Sequence, residues 1–134
     1  FSLSYMKRIY DQLEVKFNDI KIPVILFTKG SHQWIEDIAN TGCDAVSIDW
    51  NSNIGHVRKK VGDRVAIQGN MNPIILKEGE ETIVREVQSI LHSFGPNPGH
   101  VFNLGHGITP DINPDNVEIF IRAVHDFSKE YHKN

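Results

Sequence analysis

The sequence predicts an α/β fold with one parallel sheet, on two observations. Four short apolar runs alternate with segments in which apolar residues recur at helical spacing, which is typical of β-α-β units. No hairpin signal such as Asn-Gly separates neighbouring apolar runs. Four strands cannot close a barrel by themselves, so the pattern fits a small doubly wound sheet or half of a (β/α)8 barrel.

Five helices are predicted from apolar residues at positions i, i+3 and i+4. The first covers roughly the first 18 residues, and the second begins at the N-cap residue Ser31 and ends at Gly42. A short third helix ends at Gly62, and a longer fourth one stops before the GPNPG sequence at residues 95–99. Asn113 caps the fifth helix, which has proline in its first turn.

Four strands are predicted between these helices from short runs rich in β-branched and aromatic residues. They are residues 24–28, 45–50, 65–68 and 100–104. The GNMNP sequence after the third strand, at residues 69–73, is predicted to be a loop. No linker interrupts this order, so the chain is expected to lie within one domain.

The composition argues against several classes of function. A formal net charge of −3 and a pI near 6.2 predict no attraction to nucleic acid or to an anionic membrane. No apolar run approaches the ~20 residues that a membrane-spanning helix needs. Cys43 is the only cysteine, which fits a reducing cytosol and predicts a buried structural thiol. The chain begins at Phe1 inside a helical pattern, so we expect it to be a piece of a longer protein.

The best candidate for a functional residue is His106, which follows the fourth strand in the sequence NLGHG. Ligands of parallel α/β proteins bind at the carboxyl ends of the strands. Gly105 and Gly107 flank the histidine, so the backbone can turn sharply there and approach a ligand closely. A histidine at this place suits donation of a hydrogen bond to a carboxylate. The alternative is a histidine bonded only to a loop carbonyl.

Three further polar residues lie at the end of the second strand or just after the third strand and are expected at the rim of the site. Asp49 could orient a catalytic group or bind a cation, or it could brace the rim through backbone N–H groups. Asn70 and Asn72 could hydrogen bond a polar substrate, or they could serve only the structure of the loop. No spacing of histidine and cysteine indicates zinc, and phosphate-loop, dinucleotide-binding and nucleophile-elbow motifs are absent.

Five segments of the sequence resemble, in order, the uroporphyrinogen decarboxylase family. They are VILFTKG, SIDW, VAIQGNMNP, HVFNLGHGITPDINPDNV and AVHDFS. The first resembles a family strand that carries a lysine or a nearby polar residue before a glycine. The family's pattern has a Leu-Asp-Trp strand end, a Gln-Gly-Asn-Leu-Asp-Pro strand and loop, and Asn-Leu-Gly-His-Gly before the last helix. Asn72 departs from this pattern, because it replaces an aspartate and removes a charge, which leaves the role of a rim carboxylate open.

The resemblance implies that residues 1–134 are the C-terminal portion of one (β/α)8 barrel domain, whose full length is roughly two and a half times this chain. Family members remove the four acetate carboxyl groups of uroporphyrinogen III, which gives coproporphyrinogen III in haem biosynthesis. They use no metal or prosthetic group and typically act as homodimers. The resemblance also implies a cytoplasmic enzyme.

By resemblance, His106 takes the place of the family's substrate-binding histidine. The principal catalytic acid of the family lies on an earlier strand, so no catalytic residue is expected here, and the isolated chain is expected to be inactive. Two alternatives stay open. One is a corrinoid-dependent or related methyltransferase of the same barrel superfamily, although Cys43 lies at the wrong end of a strand for its zinc. The other is a non-catalytic half-barrel module that pairs with another copy through its open edges.

Overall fold

The computed structural model describes residues 2–131, in which helices and strands alternate. The helices are α1 (Ser2–Gln12), α2 (Ile35–Ala39), α3 (Ile54–Val61), α4 (Glu80–Phe94) and α5 (Pro114–Tyr131). The strands are β1 (Lys16–Phe17), β2 (Ile20–Lys21), β3 (Ile25–Phe27), β4 (Ala45–Ser47), β5 (Ala66–Met71) and β6 (His100–Leu104). Short 3₁₀ helices cover Ser31–Gln33 and Pro73–Lys77. Within residues 2–131, no helix has the length and apolar character needed to span a membrane.

Strands β3 to β6 form a parallel sheet whose order in space is the same as their order in the chain. Each connection between neighbouring strands contains a helix. In a doubly wound sheet the strand order reverses at a switch point. No reversal occurs among the described strands, so the sheet is an arc of a (β/α)8 barrel. The predicted partial barrel is confirmed, and the small doubly wound sheet is excluded.

The two faces of this arc differ in burial. Leu26, Val46 and Ile67 pair in register and pack in the core with the helices, where Val46 and Ile67 are fully buried. Successive side chains of a strand point to opposite faces, so Phe27 and Val101 lie on the inner face of the arc. Each of these two residues is 44% exposed. The core therefore fills the space between sheet and helices, and the inner face is open.

A hairpin that the sequence did not predict follows α1. The first helix ends at Gln12 and not near residue 18, and β1 pairs with β2 in antiparallel orientation. Asn18 and Asp19 form the two-residue turn, with φ values of 48° and 64°. A type I′ turn requires positive φ at both residues, which Asn and Asp adopt more readily than most residues. The expectation of no hairpin was therefore wrong, because Asn-Asp takes the place of Asn-Gly.

Other boundaries also differ from the prediction. Strand β4 ends at Ser47, three residues earlier than predicted. Strand β5 runs on through residues 69–71, which pair with residues 102–104 of β6, so this part of GNMNP is strand and not loop. Ser31 does not act as a side-chain cap, because its Oγ is buried without a hydrogen-bond partner and α2 begins only at Ile35.

Strand β3 is one residue shorter than predicted at each end, β5 begins one residue later than predicted, and α2 ends at Ala39, before Gly42. Several other element ends agree with the sequence. Gly62 follows α3, Gly95 follows α4, and β6 has the predicted bounds. The Asn113 Oδ1 atom accepts a hydrogen bond of 3.0 Å from the Asp115 N–H, which confirms the predicted cap of α5.

One side chain, Asp44, ties the hairpin to the amino-terminal edge of the sheet. It forms an ion pair with Lys21 of β2 and accepts a hydrogen bond of 2.9 Å from the Val24 N–H. The Lys21 ammonium lowers the pKa of Asp44 below its usual value, and the Val24 N–H acts in the same direction. Since the folded-state pKa lies below the unfolded-state value, the carboxylate stabilises the fold above about pH 4. This contribution is lost as the pH falls through the lowered pKa.

We expect Asp44→Asn to lower the free energy of unfolding by about 1 kcal/mol at pH 7, because a partly exposed ion pair is lost. The difference from wild type should shrink below about pH 4, where the wild-type carboxylate is itself protonated. Urea unfolding followed by circular dichroism across this pH range measures both effects. Asp11→Asn is the control, since it removes only an exposed pair with Lys7 within α1. A loss from Asp44→Asn that stays constant with pH would contradict the prediction.

Candidate functional site

His106 lies just beyond β6, at the carboxyl edge of the parallel sheet. Its exposed imidazole makes edge-to-face contacts with two rings, Phe27 at 6.3 Å and Trp50 at 6.1 Å between ring centroids. Phe27 ends β3 and Trp50 follows β4, so three strand ends meet at this imidazole. Such aromatic contacts restrict the orientation of a ring without occupying its nitrogen atoms.

A groove of about 380 Å³ opens on the inner face beside His106. We call it the mouth groove, and it is lined by Phe27, Ser47, Gln68 and residues 103–107. Ser47 and Gln68 pair in register, and the Gln68 Nε2 donates a hydrogen bond of 3.2 Å to the Ser47 Oγ. Apart from the histidine, the polar side chains of the groove are neutral. The mouth groove therefore offers amide and hydroxyl groups and one imidazole to a ligand.

His106 also lines a second groove of about 260 Å³, which we call the rim groove. Asn72 and Lys77 are among its other lining residues. The Lys77 Nζ lies 2.6 Å from a carboxylate oxygen of Asp111. The Lys77 ammonium, with help from the Thr109 hydroxyl, lowers the pKa of Asp111 to about 2. The lysine of the rim groove is thus already paired with a carboxylate.

Asp49 is fully buried, and both of its carboxylate oxygens accept hydrogen bonds from the backbone. Its Oδ2 accepts from the Gly30 N–H at 2.6 Å, and its Oδ1 accepts from the Asn51 N–H at 2.9 Å. These bonds join the segment after β3 to the segment after β4. The geometry is that of a carboxylate bracing the rim, one of the two roles that the sequence left open for Asp49. We infer no role for Asp49 in binding a cation or substrate.

The two asparagines of GNMNP hold the backbone of the rim. Asn70 lies in β5 and is 6% exposed, and its Nδ2 donates to the carbonyl oxygens of Asp49 at 2.9 Å and Ser52 at 2.6 Å. Asn72 lies at the start of a 3₁₀ helix, where its Oδ1 accepts a hydrogen bond of 3.1 Å from the Ile74 N–H. Asn and Asp are about equally good N-caps. Asn72 therefore caps this 3₁₀ helix about as well as an aspartate would.

The two glycines beside His106 differ in their surroundings. A Cβ atom on Gly105 would lie 2.5 Å from the Trp50 backbone nitrogen and 3.0 Å from the Asp49 carbonyl carbon. A Cβ atom on Gly107 would meet nothing within 4 Å. Neither glycine has positive φ. Gly105 is thus required by a close approach of two backbones, whereas Gly107 is not constrained by packing.

The structure brings the sequence candidates into two groups. His106 is exposed between the two grooves, while Asp49, Asn70 and Gly105 form the buried support beneath it. Sequence reasoning did not select Ser47 and Gln68 of the mouth groove. The signal that could have found them is a polar residue at alternate positions of otherwise apolar strands, next to the strand end.

Cys43 lies ahead of β4, at the opposite edge of the sheet from His106, and is 4% exposed. Its Sγ donates to the Ile38 carbonyl oxygen at 3.6 Å, and burial raises the pKa of its thiol. The predicted burial of Cys43 is confirmed. Across residues 2–131, no group of three or more His, Cys, Asp or Glu side chains is placed to hold a metal ion.

Comparison with known proteins identifies relatives over almost the whole chain. The family model described as uroporphyrinogen decarboxylase (URO-D) matches residues 1–127. A uroporphyrinogen decarboxylase of Pseudoalteromonas translucida (strain TAC 125) is 55% identical over 133 residues, which are 99% of this chain and 38% of that protein. A uroporphyrinogen decarboxylase of Legionella pneumophila (strain Paris) is 53% identical over 132 residues, which are 98% of this chain and 37% of that protein. The chain therefore spans well under half the length of these curated relatives.

Among solved structures, a methyltransferase from Methanosarcina mazei superposes with a TM-score of 0.76. The sequence identity is 19%, and the match covers 95% of this chain and 36% of that chain. At this identity the likeness concerns the fold alone.

We expect Gly105→Ala to destabilise the chain by about 1–3 kcal/mol, since the added methyl group would strike backbone atoms that side-chain rotation cannot move. Gly107→Ala is the matched control on the other side of His106 and should change the free energy of unfolding by less than about 0.5 kcal/mol. Chemical unfolding of both variants under the same conditions measures this contrast. Equal effects of the two substitutions would argue against the backbone contact of Gly105 with Trp50.

Proposed function

Since the chain belongs to the uroporphyrinogen decarboxylase family, we propose that residues 1–134 are the C-terminal portion of a barrel enzyme that converts uroporphyrinogen III to coproporphyrinogen III. The observation that carries this proposal is the family match over residues 1–127, which includes His106 at the mouth of the arc. In each of four steps, a carbon–carbon bond of an acetate arm breaks, carbon dioxide leaves, and a proton takes its place. The full-length enzyme is proposed to be a cytoplasmic homodimer without metal or prosthetic group.

The proposed role of His106 is to bind a carboxylate of the substrate. Uroporphyrinogen carries eight carboxylates, so its site needs donors around the macrocycle. The His106 imidazole is exposed at the mouth groove, and its orientation is restricted by Phe27 and Trp50. An N–H of this ring can donate a hydrogen bond to a carboxylate, and the bond is charge-assisted because its acceptor is ionised.

Decarboxylation also needs a proton donor for the carbon atom that carbon dioxide leaves. The side chains that line the mouth groove include no carboxyl group, and both oxygens of the nearby Asp49 accept backbone hydrogen bonds. We therefore infer that the principal catalytic acid comes from the part of the barrel that precedes this chain. The open inner face of the arc, with Phe27 and Val101 half-exposed, is the surface that the remaining strands would cover.

The two alternative functions have less support. The methyltransferase alternative rests on a fold shared at 19% identity, and Cys43 lies at the edge of the sheet opposite to the mouth. The half-barrel assembly module would use the outer edges of β3 and β6, which pair with no further strand among the described residues. Sedimentation of the isolated chain as a well-behaved monomer would argue against the assembly module.

The proposed reaction is tested with the full-length enzyme that carries this chain. Uroporphyrinogen III is supplied under anaerobic conditions, and the products are separated by their number of carboxyl groups. We expect coproporphyrinogen III from the full-length enzyme and no turnover by the isolated 134-residue chain, because the proton donor is missing. Failure of the full-length enzyme to remove carboxyl groups would overturn the proposed function. Turnover by the isolated chain would contradict the inference that the catalytic acid lies outside it.

In the full-length enzyme, His106→Ala should raise KM for uroporphyrinogen about tenfold or more, since a hydrogen bond to a charged group is worth about 1.5–3 kcal/mol. The effect could fall on the first decarboxylation or on a late one, so KM and kcat are measured at every step. His125→Ala, an exposed histidine on α5, is the control and should leave both constants unchanged. If KM and kcat of His106→Ala match those of wild type at every step, His106 does not bind the substrate.

A further inference from the structure

Lys29 lies two residues beyond the end of β3, at the same carboxyl edge of the sheet as His106. Its side chain is exposed, and its Nζ lies 5.5 Å from the centroid of the Trp50 ring. A lysine ammonium within about 6 Å of an indole face is attracted by the ring's quadrupole. The indole therefore favours one position of an otherwise flexible side chain.

Trp50 contacts both groups, because its ring is also 6.1 Å from the His106 ring. The Lys29 ammonium is thus no farther from His106 than the sum of these two distances. Hydrogen bonds hold the backbone next to Lys29 and next to Trp50. The Asp49 carboxylate binds the N–H of Gly30, next to Lys29, and the N–H of Asn51, next to Trp50. The Lys29 ammonium, the Trp50 indole and the His106 imidazole therefore lie together at the carboxyl edge of the sheet.

The charge of Lys29 is not neutralised by a carboxylate. Within residues 2–131, its ammonium forms no ion pair and no hydrogen bond. Asp49, whose carboxylate binds the N–H of Gly30 next to Lys29, uses both oxygens for backbone N–H groups. Lys77 of the rim groove differs, since it is paired with Asp111. Lys29 is therefore available to an anionic ligand.

We propose that Lys29 binds a second carboxylate of the substrate whose first carboxylate is bound by His106, and that Trp50 positions the Lys29 ammonium for this contact. This inference rests on the proposed function. Each pyrrole ring of uroporphyrinogen carries an acetate and a propionate side by side, so two neighbouring cationic or donor groups can engage one ring. An ammonium with three donors on a flexible stem binds carboxylates without demanding one geometry, which suits arms of different length.

The test uses three variants in the full-length enzyme. Lys29→Gln should raise KM for uroporphyrinogen about tenfold and leave kcat within about twofold, because a charge-assisted contact made in the ground state is lost. Lys29→Arg should restore KM to within about threefold of wild type, because the charge is kept. Lys59→Gln, which removes an exposed charge on α3 away from the mouth, is the matched control and should leave both constants unchanged.

Two further measurements separate ligand binding from a structural role. Added salt should raise KM less steeply in Lys29→Gln than in wild type, because one screened charge contact is missing. Trp50→Leu should also raise KM, and Lys29→Gln added to it should have a smaller effect than in wild type, because the two residues act as a unit. Circular dichroism identifies variants that fail to fold, and the comparison of Lys29→Gln with Lys29→Arg does not depend on Trp50→Leu.

The outcomes distinguish this inference from the proposed function. If the wild-type enzyme turns over uroporphyrinogen and His106→Ala raises KM, an unchanged KM in Lys29→Gln overturns the role of Lys29 and leaves the function intact. The role of Lys29 is also overturned if Lys29→Arg is as impaired as Lys29→Gln, or if Lys29→Gln lowers kcat alone. Absence of decarboxylation by the wild-type enzyme overturns both the role and the function.

Discussion

The buried carboxylate of Asp49 is the interaction on which the carboxyl edge of this sheet depends. It accepts backbone N–H groups from the segments after β3 and after β4. The backbone around it receives two further contacts, because Asn70 of β5 donates to the Asp49 carbonyl oxygen and Gly105 after β6 packs against the Asp49 Cα. The ends of all four parallel strands therefore meet at one residue. Hydrogen bonds to an ionised acceptor are stronger than those between neutral groups, which suits Asp49 to this task.

The residues that hold the backbone of this edge are different from the residues proposed to bind the ligand. The supporting residues Asp49, Asn70 and Gly105 are buried, and their polar groups are engaged within the fold. The groups assigned to the ligand, His106 and Lys29, are exposed and meet at the Trp50 ring. Binding residues on loops that a rigid scaffold positions are a general feature of parallel α/β proteins.

The open sheet fits the proposal that this chain contributes only part of the site of a longer enzyme. Four strands form an arc whose outer face is buried by helices and whose inner face exposes apolar residues such as Phe27 and Val101. The mouth groove opens on that inner face, so a ligand held by His106 would also face the strands that complete a barrel. The curated relatives are much longer than this chain. Their length is consistent with a site to which other parts of a barrel also contribute.

The sequence by itself determined the order of helices and strands in the barrel segment, the cap at Asn113 and the place of His106 at a strand end. These features follow from local periodicity, from turn residues and from the rule that ligands bind where parallel strands end. Tertiary structure decided the rest. Gly69 and Asn70 belong to β5 because they pair with β6, against the low strand propensity of both residue types. The hydrogen bonds of Asp49, the close backbone approach at Gly105 and the contact of Lys29 with Trp50 all join residues that follow different strands. No local pattern encodes such contacts, because they depend on which strand ends the sheet brings together.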